Sequence, residues 1–154
     1  MGLLLVVNLH GAINSSAPVR KALNELWVAK KFSASVVTDD PPTVGMLKLC
    51  KDYVSWSPIE EGLLADLLTK KGMVSTAKHL DSTALKALGF KDHRGLASRM
   101  VAEQSRLSAV GGLLPYFRLA PPRGGFKRSL RRQFTEKGML GRNPDLEEVV
   151  RRML

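Results

Sequence analysis

Leu3 to Leu9 is an almost unbroken apolar run that ends at Gly11, which predicts a strand buried on both faces. Ser15 and Ser16 are N-cap candidates for a following helix, and Pro18 suits its first turn, where the missing N–H costs nothing. Val19, Leu23, Leu26 and Trp27 then recur at helical spacing while Arg20, Lys21, Lys30 and Lys31 stay polar, so Trp27 is expected in the core. Ser33 to Thr38 reads as a second strand, closed by the turn residues Asp39-Asp40-Pro41-Pro42. Thr43 is placed to cap a short helix through Lys51 with Val44, Leu47 and Leu49 available for burial. Tyr53 to Trp56 has the aromatic and β-branched content of a third strand. Ser57-Pro58 opens a helix from about Ile59 to Lys71, with Leu63, Leu64, Leu67 and Leu68 on one face and Gly72 as its stop. Three strand–helix pairs in succession predict an α/β or α+β domain with one small sheet.

Beyond Gly72 the pattern weakens. Met73 to Val110 is helical in period but more polar, with a break between Gly89 and Gly95 and a close at Gly111-Gly112. Pro115 to Leu119 suggests a further strand, and Pro144-Asp145 opens a last helix through Arg152. Asp145, Glu147 and Glu148 near its start and Arg151 and Arg152 at its end complement the helix dipole. The expected organisation is a core over residues 1–58, a helical extension over 59–114, and a strand, basic loop and terminal helix over 115–154.

Charge changes the picture more than composition does. Hydrophobic residues make up 44%, an ordinary globular share, but 24 Lys+Arg against 14 Asp+Glu leave a net charge of +10. The stretch from Arg118 to Arg142 holds eight cations against the single anion Glu136, and so carries +7 of that +10. A polyanion is the expected partner. The opening apolar run is too short for a signal-peptide core or a membrane span, and the lone Cys50 cannot build a disulfide framework, which suggests a reducing, intracellular setting.

Within the basic stretch, Pro121 and Pro122 stiffen the backbone in an extended form, so less freedom is lost on binding. Gly124 and Gly125 permit positive φ and let backbone N–H groups approach a phosphate. Arg123 offers a planar fork for phosphate, and Phe126 a face for an unpaired base. Lys127, Arg128, Arg131 and Arg132 extend the charge, and Lys137-Gly138 and Leu140-Gly141-Arg142 repeat the pairing of cation with glycine. If about five to eight cations each neutralise a phosphate, log K should fall against log[salt] with a slope of roughly −4 to −7.

Nothing comparable points to catalysis. His10, His79, His93 and Cys50 lack metal-ligand spacing. Ser15, His10 and Asp39 could be written as a triad, but no nucleophile elbow accompanies them. Asp39-Asp40 and Glu60-Glu61 fit a turn and a helix start, and Gly111-Gly112 is no dinucleotide fingerprint. Tyr53 and Trp56, three apart on a strand, should face opposite sides, leaving one exposed and free to stack on RNA. No cofactor, metal or small-molecule substrate is implied.

These residues also carry a family resemblance. Leu9-His10-Gly11, Val19-Arg20 to Leu26, Ser35-Val36-Val37, and Gly45-Met46-Leu47 leading to Asp52-Tyr53-Val54-Ser55-Trp56 resemble the large-subunit ribosomal protein L-thirty family, whose eukaryotic members are called L-seven. Phe117 to Phe126, with Pro-Pro-Arg-Gly-Gly at its centre, is similar to a signature of the archaeal and eukaryotic branch, and Lys137-Gly138 to Gly141 fits it too. The resemblance covers essentially the whole chain, and by length it is to the archaeal type. It implies an α+β fold, a small three-stranded antiparallel sheet with a β-α-β-α-β core like a ferredoxin fold, plus a helical and basic C-terminal extension.

It further implies a non-enzymatic constituent of the large subunit in the cytoplasmic ribosome, holding 23S-type rRNA beside neighbouring ribosomal proteins. The basic run that many members carry after the first helix is here Trp27-Val28-Ala29-Lys30-Lys31, and Lys30 and Lys31 take its place. The cations expected on RNA are Arg20, Lys21, Lys30, Lys31, Lys48 and Lys51, then Arg118, Arg123, Lys127, Arg128, Arg131, Arg132, Lys137 and Arg142, with Gly124, Gly125 and Phe126. A non-ribosomal RNA-binding or assembly factor is the alternative. A membrane-surface role needs an apolar helical face that Arg128 to Phe134 is too short to supply.

Overall fold

The computed structural model describes residues 2–154. In chain order the elements are β1 (Leu3–Asn8), α1 (Ala17–Glu25), β2 (Ser33–Thr38), α2 (Pro41–Leu49), β3 (Val54–Pro58) and α3 (Glu61–Lys71). Then come β4 (Met73–Ser75), β5 (Lys78–His79), α4 (Ser82–Ala87), α5 (His93–Glu103), β6 (Phe117–Arg118), β7 (Ser129–Gln133), β8 (Gly138–Arg142) and α6 (Leu146–Met153). The fold is α+β. β1 lies between β2 and β3, antiparallel to both, with Leu5 opposite Val36 on one side and Ser57 on the other.

The sheet is wider than the three strands expected. Its order is β6-β2-β1-β3-β8-β7, with β6 antiparallel to β2, and β8 parallel to both β3 and β7. Gly138 and Gly141 are buried within β8, where the basic loop was expected. A Cβ at Gly138 would collide with the backbone carbonyl of Arg132, so only glycine lets β8 lie this close to β7. β4 and β5 form a separate small hairpin inside the stretch expected to be helical.

Every residue of β1 is buried, because helices cover both faces of the sheet. On one face Leu4 and Val6 pack with Val19, Leu23 and Leu26 of the α1 region and with Leu47 of α2. On the other, Leu3, Leu5 and Val7 meet Leu63, Leu64, Leu67 and Leu68 of α3, with Leu96 and Met100 of α5 and Val149, Val150 and Met153 of α6. Removing a side chain of this kind from water contributes about 1.5–3 kcal/mol, so the second face holds most of the driving force for folding.

Three local expectations need correction. Trp27 is not in the core but 47% exposed, at φ +61. Helix α1 ends in a Schellman motif: the Val28 N–H donates to the Leu23 carbonyl and the Trp27 N–H to that of Asn24. Trp27 therefore occupies the left-handed position after the cap, where helical periodicity no longer applies. Second, α2 is capped by Asp40, whose Oδ1 accepts the Thr43 N–H at 3.1 Å, and the helix starts at Pro41. Third, Tyr53 precedes the strand, so alternation does not reach it; Tyr53 and Trp56 both pack, half-buried, against the α1–α2 side.

Candidate nucleic-acid interface

Asn8 ends β1 with a fully buried side chain that organises one end of the sheet. Its Nδ2 donates to the Val28 carbonyl at 2.6 Å, and its Oδ1 accepts the backbone N–H groups of His10 and Gly11 at 3.1 and 2.7 Å. Its own carbonyl accepts the Phe32 N–H at 2.7 Å. One polar group thus satisfies two loops that would otherwise bury bare backbone, and it holds Lys30 and Lys31 out into solvent. In the sequence Asn8 reads only as an interruption of an apolar run. A buried amide at a strand end was the available signal.

The basic segment joins this end through β6. Ser33 pairs with Arg118, and the Leu119 N–H donates to the Phe32 carbonyl at 3.0 Å. Phe126 is half-buried and stacks on Phe32 with ring centres 6.1 Å apart, and Lys31 lies over the Phe32 ring at 5.1 Å. Phe126 therefore commits one ring face to Phe32. Lys31 and the Pro121–Phe126 stretch, remote in sequence, meet at this stack.

Arg152 of α6 builds the turn between them. Its Nη1 donates to the carbonyls of Arg123 and Gly125 at 3.3 and 3.1 Å, and its carbonyl accepts the Arg123 N–H. The Gly125 N–H closes on the Pro122 carbonyl at 3.1 Å, with Gly124 at φ +79, a turn position that calls for glycine. The result is a fixed turn with Arg123, Gly124 and Gly125 exposed. From the sequence Arg152 serves only the helix dipole; its contacts span 29 residues and leave no local pattern.

Arg118, Arg123, Lys127, Arg131, Arg132, Lys137 and Arg142 are exposed and make no ion pair among the described residues. Arg118 lies 5.9 Å over the Tyr116 ring, and Arg128 sits 4.8 Å over Phe134 and 3.6 Å from Asp145. Lys51 approaches the segment from the α2–β3 turn, where Gln133 Nε2 donates to the Lys51 carbonyl and to Asp52 Oδ1, both at 3.0 Å. Lys48, exposed in the last turn of α2, has no hydrogen bond or ion pair to the segment among the described residues. Arg20 and Lys21 lie on α1 and line a groove with Trp27, Met46 and Arg106. Lys21 also faces Glu25 at 4.0 Å.

Other chemistry is weakly supplied. Ser15 commits its hydroxyl to the Ala12 carbonyl at 2.6 Å, and His10 packs edge-on against Tyr53. Burial pushes the Cys50 thiol up to about 11, far from a reactive thiolate. Among the described residues no group of three His, Cys, Asp or Glu could hold a metal, and no helix is long and apolar enough to cross a membrane.

No family model matches the chain. It is 35% identical over 153 residues to the large ribosomal subunit protein uL30 of Cenarchaeum symbiosum, with 99% of each chain covered. Against the protein of the same name from Thermofilum pendens it is 36% identical over 156 aligned residues, covering 100% of both. The Nitrosopumilus maritimus uL30 is 34% identical over 151 residues, 98% of this chain and 97% of that one.

Proposed function

Because the chain belongs to the uL30 family of large ribosomal subunit proteins, its role is structural within that subunit, and we propose that it holds 23S-type rRNA on the basic end of its sheet. Residues 1–58 serve as frame, 59–114 as a helical cover, and 115–154 as the RNA-facing extension. The observation that carries this reading is the set of seven exposed cations without ion pairs between Arg118 and Arg142. Arg118, Arg131, Arg132 and Arg142 sit on strands and Arg123 on a turn tied down by Arg152, so little order has to be gained on binding at these positions.

Phosphates are the natural counter-charge, met at the level of shape rather than sequence. Lys30, Lys31 and Lys51 extend the same surface, and Arg20, Lys21 and Lys48 supply a flank. The protein acts without catalysis, in the cytoplasmic ribosome, beside neighbouring ribosomal proteins. Sedimentation of the tagged chain in moderate salt tests the placement: it should travel with large subunits. Recovery only at the top of the gradient would favour a factor acting away from the ribosome.

A further inference from the structure

The Schellman motif that ends α1 normally takes glycine in its left-handed position, because a Cβ there is strained. This chain places Trp27 there, at φ +61, and leaves the residue 47% exposed. About half of the tryptophan's surface is left to solvent, and glycine would serve the backbone better. A strained position that holds a half-exposed aromatic ring points to a use outside the fold.

That use is visible around the ring. Trp27 and Tyr116 line an open cleft of about 380 Å³ together with Asn24, Ala29, Lys30 and Ser33. The lining holds two aromatic rings, one cation and no carboxylate, and Arg118 stands over the Tyr116 ring at 5.9 Å. The exposed Asn24 side chain makes no hydrogen bond among the described residues, so both its amide donor and acceptor are free. Aromatic faces with an unpaired amide and flanking cations match the chemistry of an unstacked nucleobase and its phosphates. A buried apolar partner side chain would use the rings but leave Asn24, Lys30 and Arg118 unanswered.

We propose that the cleft between Trp27 and Tyr116 is a slot for one unstacked nucleobase of the bound rRNA, with Asn24 at the base edge and Lys30 and Arg118 at the adjoining phosphates. The proposal rests on the reading of the chain as an rRNA-binding protein. It adds to the phosphate contacts of the basic segment a stacking contact that Trp27, from the first half of the chain, shares with Tyr116.

The test is binding of the full chain to short single-stranded oligo(A) and to an RNA duplex of the same length, in moderate salt. Trp27→Gly removes the ring and suits the backbone, so relief at the positive φ offsets the packing given up and the variant should fold. It should bind oligo(A) about five- to hundred-fold more weakly, with duplex affinity and salt slope unchanged. Trp27→Phe should retain most of the affinity.

Equal oligo(A) affinity for Trp27→Gly and parent, or no oligo(A) binding by the parent, would overturn the slot. So would loss of Trp27→Gly from large subunits with its oligo(A) affinity intact, which would give the cleft to a neighbouring protein. An Arg123/Arg131/Arg132→Ala variant measured alongside separates the two readings. If it loses binding while Trp27→Gly does not, only the slot fails; if it also binds normally, the rRNA reading of the basic segment fails with it.

Discussion

Arg106, in the connection after α5, donates from Nη2 to Asp40 at 2.8 Å and to Thr43 at 3.1 Å, and from Nε to Thr38 at 3.0 Å. Arg131 and Arg132, on β7, make no ion pair among the described residues. Elsewhere in the body Arg99 bonds Glu103 and Arg151 bonds both Glu147 and Asp66. These three arginines of the body are answered within the chain: Arg106 ties the connection after α5 to the end of β2 and the start of α2, and Arg151 joins α6 to α3. Arg131 and Arg132 are mounted on the sheet edge and left without an ion pair among the described residues. The two regions should therefore respond to opposite perturbations: the body to changes in packing and pH, the segment to changes in charge and salt.

The largest effect belongs to the body. Leu5 lies fully buried at the centre of the sheet, and Leu5→Ala should cost about 3–4 kcal/mol of stability in a denaturant titration. The RNA affinity of the molecules that remain folded should not change. Next comes the segment: Arg123/Arg131/Arg132→Ala should weaken RNA binding by roughly 3 kcal/mol while the melting temperature stays nearly constant. A large fall in melting temperature would mean that these arginines serve the fold and that the division is wrong.

The Arg106 contact makes a smaller and pH-dependent difference. The Thr43 hydroxyl, with Arg106, the Thr43 N–H and Thr38, holds Asp40 down from 3.8 to about 2 against the opposing effect of burial. A carboxyl lowered on folding stabilises fully above its unfolded value and loses that contribution as pH falls through the folded one. The window is therefore about pH 4 down to about pH 2. Both partners are partly exposed, so the contribution is discounted to roughly 1–2 kcal/mol. Asp40→Asn should flatten the acid limb of the stability profile by that amount and leave RNA binding alone.

Smallest is Arg152→Ala, which releases the Arg123–Gly125 turn. It should reduce RNA affinity by about 1 kcal/mol through lost preorganisation, with the salt slope intact because no phosphate contact is removed.

Much of the first half was legible because its strands and helices are long enough for periodicity to show, as in Leu3 to Asn8 and Leu63 to Leu68. What escaped was set by contacts across the chain or by exceptions to local rules. β8 contains Gly138 and Gly141 and shows no alternation, so its pairing with β3 cannot be seen locally. Trp27 sits where glycine would have marked a helix end. Asp40 followed by two prolines does carry a helix-start signature, which the turn reading of the same residues hid. For the interface, the cations are plain in the sequence, whereas Asn8 and Arg152, which position them, act through hydrogen bonds 20 to 29 residues long in sequence.

The central claim, that the bare cations of residues 118–142 meet phosphates, is tested most directly by the salt dependence of binding to large-subunit rRNA fragments. The parent should give a slope of log K against log[salt] of roughly −4 to −7, and Arg123/Arg131/Arg132→Ala should make it shallower by about 2–3. A triple variant with the parent's slope would show that these arginines face no phosphate and would contradict the account.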